Sequence, residues 1–276
     1  MRSNGSLLAT ALLAGLSSVS SGQIAGKVML KGDPPEMPQI KAMSAVAQCV
    51  DLHKDPLYED NIVVSDKNEI ANVVVFIQPA AGQTLKGPQK QTPAVIDQKG
   101  CMYTPHVLAV QIGEPISVKN SDPFLHNVHA LCIDNTAFNF AEVNVQEKKI
   151  EPFTVVETFQ IKCDVHPWMK AWVRVFDHPY FATTDESGKF SIDTKGLPDG
   201  TYTLVAWQEV YHDSQPQQVE VKGGKVAKPV EFTYTAKGGK AAAEPVKQVH
   251  LAGLVQPTAG GAEADCCTDA KASAKK

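Results

Sequence analysis

Between residues 23 and 236 the chain offers almost no helical periodicity, and this restricts its fold more than any other feature. Met43 to Leu52 could form one short helix. Everything else is made of short alternating or β-branched runs broken by Gly, Pro and Asn-Ser-Asp turns. Ile24 to Leu30 alternates apolar with small or polar residues, and Ala71 to Ile77 (ANVVVFI) suits a buried strand. Val107–Ile112, Ile116–Val118, Thr154–Ile161 and Trp172–Phe176 continue the pattern. The expected class is all-β. Residues 33–69, with GDPPEMP and KDPLYED, read as a long irregular excursion.

The two ends of the chain differ from this middle. Arg2, the apolar run Leu7–Leu16 and the small residues Ser17–Gly22 have the order of a secretory signal peptide over 1–22. The run is too short to span a bilayer, and no later segment is long and apolar enough to do so. The expectation is therefore an exported protein, periplasmic or extracellular, with no membrane span. Residues 237–276 are rich in Ala, Gly and Lys without an apolar period, the composition of a disordered tail. That tail holds six lysines and four acids, so the formal −4 of the whole chain hides a middle portion at −7 once Arg2 is also set aside. Such a charge does not suit a nucleic-acid binder.

A break falls at Asp177-His178-Pro179-Tyr180. Domains are expected over 23–177, with its core at 71–176, and over 178–236. In the second, Asp185-Glu186-Ser187-Gly188 and Leu197-Pro198-Asp199-Gly200 mark tight turns between short strands. Its G-K-F-S-I, L-P-D-G-T-Y and A-W stretches are similar to the transthyretin-like (carboxypeptidase regulatory-like) sandwich, a likeness that implies no chemistry.

The chemistry lies in Cys163-Asp164-Val165-His166-Pro167-Trp168-Met169, where a thiolate, an imidazole and a thioether fall at C-x-x-H-x-x-M spacing. A second imidazole stands in Asn120-Ser121-Asp122-Pro123-Phe124-Leu125-His126-Asn127-Val128. Soft sulfur favours Cu(I) while imidazole suits both Cu(I) and Cu(II), so two His, one Cys and a weak Met form a donor set for one-electron copper. Structural zinc more often takes four strong ligands without a thioether.

With both segments in view, the chain resembles the cupredoxins (blue copper proteins) of the amicyanin and plastocyanin type, over roughly residues 71–176. The matching residues are Asn120 with His126-Asn127-Val128, and Cys163 through Met169 followed by Val173-Arg174-Val175. The resemblance implies an all-β fold, a cupredoxin-like Greek-key β-sandwich followed by the small second β-sandwich. It implies one copper ion per chain on His126, Cys163, His166 and Met169. Asn127 would hydrogen-bond between the two ligand loops. His166 would turn its far edge to solvent within an apolar ring of Phe124, Leu125, Pro167 and Trp168, an electron exit, although Phe124 and Trp168 serve equally well as core. The segments 33–69 and Cys132–Glu151 and the appended sandwich lie outside a minimal cupredoxin.

The remaining soft residues carry weaker signals. His129, three residues beyond His126 in a strand, faces the other way, and His106 reads as structural. Cys49 and Cys101, both outside the copper motifs, are the expected disulfide, tying the excursion to the sheet. Cys132, Cys266 and Cys267 remain unassigned. The expected role is that of an electron carrier rather than an enzyme. Its redox partner would be a cytochrome or dehydrogenase with a basic docking surface, since opposite charge speeds weak encounters. Envelope copper storage or delivery without redox cycling is the alternative.

Overall fold

In the computed structural model, residues 22–236 are described; the expected signal peptide up to residue 21 and residues 237–276, with Cys266 and Cys267, lie outside them. The described chain is all-β, in four sheets. β1 (Gln23–Lys31) is flanked by β13 (Lys189–Asp193) and β18 (Val230–Thr235). A second sheet runs β12 (Phe181–Thr183), β2 (Val74–Gln78), β14 (Gly200–Gln208), β16 (Gln217–Lys222) and β17 (Lys225–Val226), with β15 (His212–Asp213) beside β14. A third is β5 (Val107–Gln111), β11 (Lys170–Phe176), β10 (Thr158–Lys162), β7 (His126–Ala130) and β8 (Phe138–Glu142). The fourth is β4 (Met102–Thr104), β3 (Ala94–Lys99), β6 (Ile116–Asn120) and β9 (Gln146–Ile150).

This pairing corrects the domain division expected at 177/178, and with it the core at 71–176. β1 pairs in parallel with β18 from Gly26↔Val230 to Lys31↔Thr235, and β2 pairs with β14 through Val205↔Phe76. Both N-terminal strands therefore belong to the sandwich completed by the C-terminal strands, and β3–β11 form an insert between them. The pattern within a strand declares its faces but not its partner. Parallel pairing in particular needs a long crossover, which no local turn announces.

Three apolar layers result. Val28, Ile77, Leu204 and Phe232 pack inside the flanking sandwich, while Val118, Val128, Phe159 and Val173 pack inside the insert. Between them Val74, Phe76, Val205 and Trp207 meet Val107, Trp172 and Phe176. Period-2 alternation explains how one strand serves two layers. In β2, Val74 and Phe76 face the insert while Val75 and Ile77 face the flanking core. In β11, Trp172 and Phe176 face outward while Val173 and Val175 face inward. Each large side chain so buried contributes about 1.5–3 kcal/mol.

Charged groups in the middle layer are partnered. The Arg174 guanidinium lies 4.4 Å from the Phe76 ring centre and 3.6 Å from Asp213. His106 sits between Asp60 and Glu209.

The excursion contains a 3-10 turn, Lys41–Ala45, and a single helical turn, Ala47–Val50. As expected, Cys49 is bonded to Cys101, in the turn between β3 and β4. Across a separation of 52 residues such a bridge is worth about 4 kcal/mol of unfolded-state entropy. The stretch from Cys132 to Glu151 supplies β8 and β9, which extend the insert's two sheets by pairing with β7 and β6.

Candidate metal centre

Three connections meet at one end of the insert: the β6–β7 loop (121–125), the β10–β11 loop (163–169) and the β3–β4 turn at Gly100-Cys101. The β10–β11 loop is a closed arc. Cys163 N–H donates to the Met169 carbonyl (3.0 Å) and Met169 N–H to the His166 carbonyl (2.9 Å). The His166 N–H points at Cys163 Sγ, 3.4 Å away. The C-x-x-H-x-x-M spacing therefore turns the sulfur and the imidazole toward one point, with Met169 wholly buried in the same core.

His126 opens β7 and is also wholly buried. Its Nδ1 lies 3.0 Å from Nδ1 of His166, whose Nδ1 is 3.8 Å from Cys163 Sγ. One donor atom from each of His126, Cys163 and His166 falls within 4.8 Å of the others. Burial holds the pKa of His126 below the usual histidine value, partly offset by Asp122. Burial, helped by neighbouring His126, pushes His166 down to about 4. Both rings are thus neutral near pH 7, the form that binds metal.

Asn127 joins the strand to the loop. Its Oδ1 accepts the Asp164 N–H (3.0 Å), and its Nδ2 donates to Asn139 Oδ1 (2.7 Å) and the Phe140 carbonyl (3.1 Å). Asn120 braces the other loop, donating to the Phe124 carbonyl (2.9 Å) and accepting the Asp122 N–H (2.9 Å). His129 faces away, against Asp164 at 3.0 Å, and His106 is held in the middle layer.

The expected electron exit needs correction. His166 is only 3 % exposed, so its far edge does not face solvent. Trp168 is a buried wall whose Nε1–H donates to the Cys101 carbonyl (3.0 Å). Its indole must find a polar partner indoors, and the disulfide turn provides one. Phe124 is half-buried with its ring 5.3 Å from that of His126. The exposed apolar rim is instead Pro123, Leu125, Val165 and Pro167.

One residue at the site carries no role in the sequence reading. Asp122 is buried, and its Oδ2 lies 2.8 Å from His126 Nε2. The only signal available was its place four residues before a candidate ligand. Cys132 is half-buried with a free thiol, which burial and nearby Glu157 push up to about 12, an unreactive setting.

No protein-family model matches the chain, and neither does any curated protein. Solved structures do, in part. A copper-containing nitrite reductase from Thermus scotoductus is similar at 23 % identity over 36 % of this chain, with a TM-score of 0.29. The chain spans about a quarter of that protein's length, 25 %. A Cu(I) structure of an amicyanin mutant is similar at 26 % identity over 30 % of this chain and 80 % of its own, with a TM-score of 0.27. A purple cupredoxin from Nitrosopumilus maritimus is similar at 20 % identity over 30 % of this chain and 99 % of its own, with a TM-score of 0.26.

Proposed function

We propose that the insert is a cupredoxin-like domain with a mononuclear type 1 copper centre, and that the protein is an exported one-electron carrier rather than an enzyme. The observation that carries this reading is the donor set. Two neutral imidazoles and a cysteine sulfur converge within 4.8 Å at a buried point. The thiol and imidazoles of this set suit both copper oxidation states, and His126, Cys163 and His166 are all buried. His126, Cys163 and His166 would hold the metal and Met169 would stand as the weak fourth ligand. Copper bound there would supply a Cu(I)/Cu(II) couple.

The protein's own residues fix the ligands in advance. The Cys163–Met169 arc is closed by its own backbone bonds, and Asn127 clamps that arc to β7. Among the described residues, every group of three potential metal donors includes a member of this one cluster. The exposed rim of Pro123, Leu125, Val165 and Pro167 would meet the partner, and a middle portion at −7 favours a cytochrome or dehydrogenase with a basic surface. No helix among the described residues is long and apolar enough to cross a membrane.

The test is a visible and EPR spectrum of the copper-loaded protein with metal counting. Strong thiolate-to-Cu(II) absorption at one copper per chain is expected, and Cys163→Ser should abolish the colour. A colourless protein that takes up no copper would sink the reading. Copper held without reversible cycling would point to storage or delivery.

A further inference from the structure

The copper reading leaves open what sets the balance between the two oxidation states, and the inference drawn here rests on that reading. Asp122 is 3 % exposed, and among the described residues no Lys or Arg pairs with its carboxylate. Its oxygens are surrounded by donors instead. Oδ1 accepts the Gly100 N–H (2.8 Å), and Oδ2 accepts the Cys101 N–H (2.8 Å) and lies 2.8 Å from His126 Nε2. The turn that offers those two amides is fixed at both residues. Gly100 and Cys101 stand at φ of 64° and 54°, the left-handed region, and Cys101 is bonded to Cys49.

Two consequences follow from elementary chemistry. A carboxylate accepts but cannot donate, so His126 must carry its proton on Nε2 and leave the Nδ1 lone pair free, facing His166 Nδ1 at 3.0 Å. A buried negative charge on the ligand ring also favours the more highly charged metal state, because few solvent dipoles are present to screen it. We propose that Asp122 is a positioning residue that selects the ligating tautomer of His126 and biases the centre toward Cu(II), with the disulfide-bearing turn holding the carboxylate in place.

The experiment compares wild type, Asp122→Asn and Asp122→Glu. In the apo protein, imidazole 15N NMR should find His126 protonated on Nε2 in wild type and a mixture of tautomers in Asp122→Asn. With copper, loss of this outer partner should weaken Cu(II) binding about tenfold while Cu(I) binding holds. For one electron that raises the reduction potential by about 59 mV. Asp122→Glu, which keeps the charge, should return the potential toward wild type. A wild-type His126 protonated on Nδ1 overturns the proposal without any variant having to fold. An unchanged potential in copper-loaded Asp122→Asn, with tautomer unchanged, overturns it as well. A wild type that binds no copper would overturn the copper reading and the bias drawn from it, while the tautomer would still decide whether Asp122 directs His126.

Discussion

Two buried regions of this molecule use histidine in opposite ways. At the end of the insert, His166 is pushed down to about 4 by burial and by His126, so it stays neutral. In the layer between the sandwiches, burial would pull His106 down too, but the facing carboxylates of Asp60 and Glu209 outweigh it and hold the ring at about 10. The difference is in the carboxylates. His106 has one at each nitrogen, Asp60 at 3.1 Å from Nδ1 and Glu209 at Nε2, and Glu209 also takes the Trp172 indole N–H (2.7 Å). Both nitrogens are spent, so the ring is a charged fastener. His126 has one carboxylate, on Nε2, and its Nδ1 meets only the neutral ring of His166, at 3.0 Å. A buried histidine with only one nitrogen on a carboxylate can turn the other to a metal; one with both nitrogens on carboxylates cannot.

The sharpest break of this contrast is a crossed pair of substitutions. His106→Ala removes the cation from Glu209, whose side chain is 8 % exposed, and from Asp60, at 26 %, which should cost about 3 kcal/mol. Urea unfolding should register that loss while the copper spectrum keeps its shape. His166→Ala removes a neutral ring and leaves a small cavity, costing the apo protein about 1–2 kcal/mol, yet it should abolish the spectrum. If His106→Ala removed the colour, or His166→Ala left it, the two regions would not be independent.

The pH dependence of apo stability separates them next. His106 has a folded pKa above its unfolded value of about 6.5, so its contribution is full below that pH and is lost as pH rises toward about 10. His166 has a folded pKa below it, so its contribution is full above about 6.5 and is lost as pH falls toward about 4. Melting temperature against pH should therefore fall on both sides. His106→Gln should flatten the alkaline limb, and His166→Gln the acid limb. The same limbs in both variants would show that other groups dominate.

The sequence made one of these histidine regions legible and not the other, for a physical reason. The proposed ligand loop is local: Cys163, His166 and Met169 lie within seven residues, and backbone hydrogen bonds close the arc. His126 is distant, but it opens a strand after an Asn-bearing turn, and that could be read. The partners of His106 lie 46 residues before it and 103 after it. Nothing near Pro105-His106 hints at either. The sandwich boundary failed for the same reason. The β-branched run in β2 predicts a buried strand, and four of its five residues are buried. It did not announce that the partner would be β14, and hydrogen bonding between distant strands leaves no mark in either one. The Cys49–Cys101 bridge was readable because few cysteines in the folded portion were left to choose from.

The smallest expected effect tests whether the metal end is as preformed as its hydrogen bonds suggest. Asn127 is 8 % exposed, and it uses both ends of its amide. Its acceptor takes the N–H of Asp164, beside Cys163, and its donor reaches Asn139 and the Phe140 carbonyl on β8. Asn127→Ala strands those partners and should cost about 1–2 kcal/mol in the apo protein. It should also broaden the copper spectrum, because the Cys163 loop loses its tie to β7. Asn127→Asp keeps the acceptor for Asp164 N–H but turns a carboxylate toward the Phe140 carbonyl oxygen and the Asn139 oxygen. It should therefore preserve the spectrum better than alanine while destabilising the fold at least as much. Alanine and aspartate giving equal spectra would mean that the loop's own backbone arc, rather than Asn127, fixes the ligands.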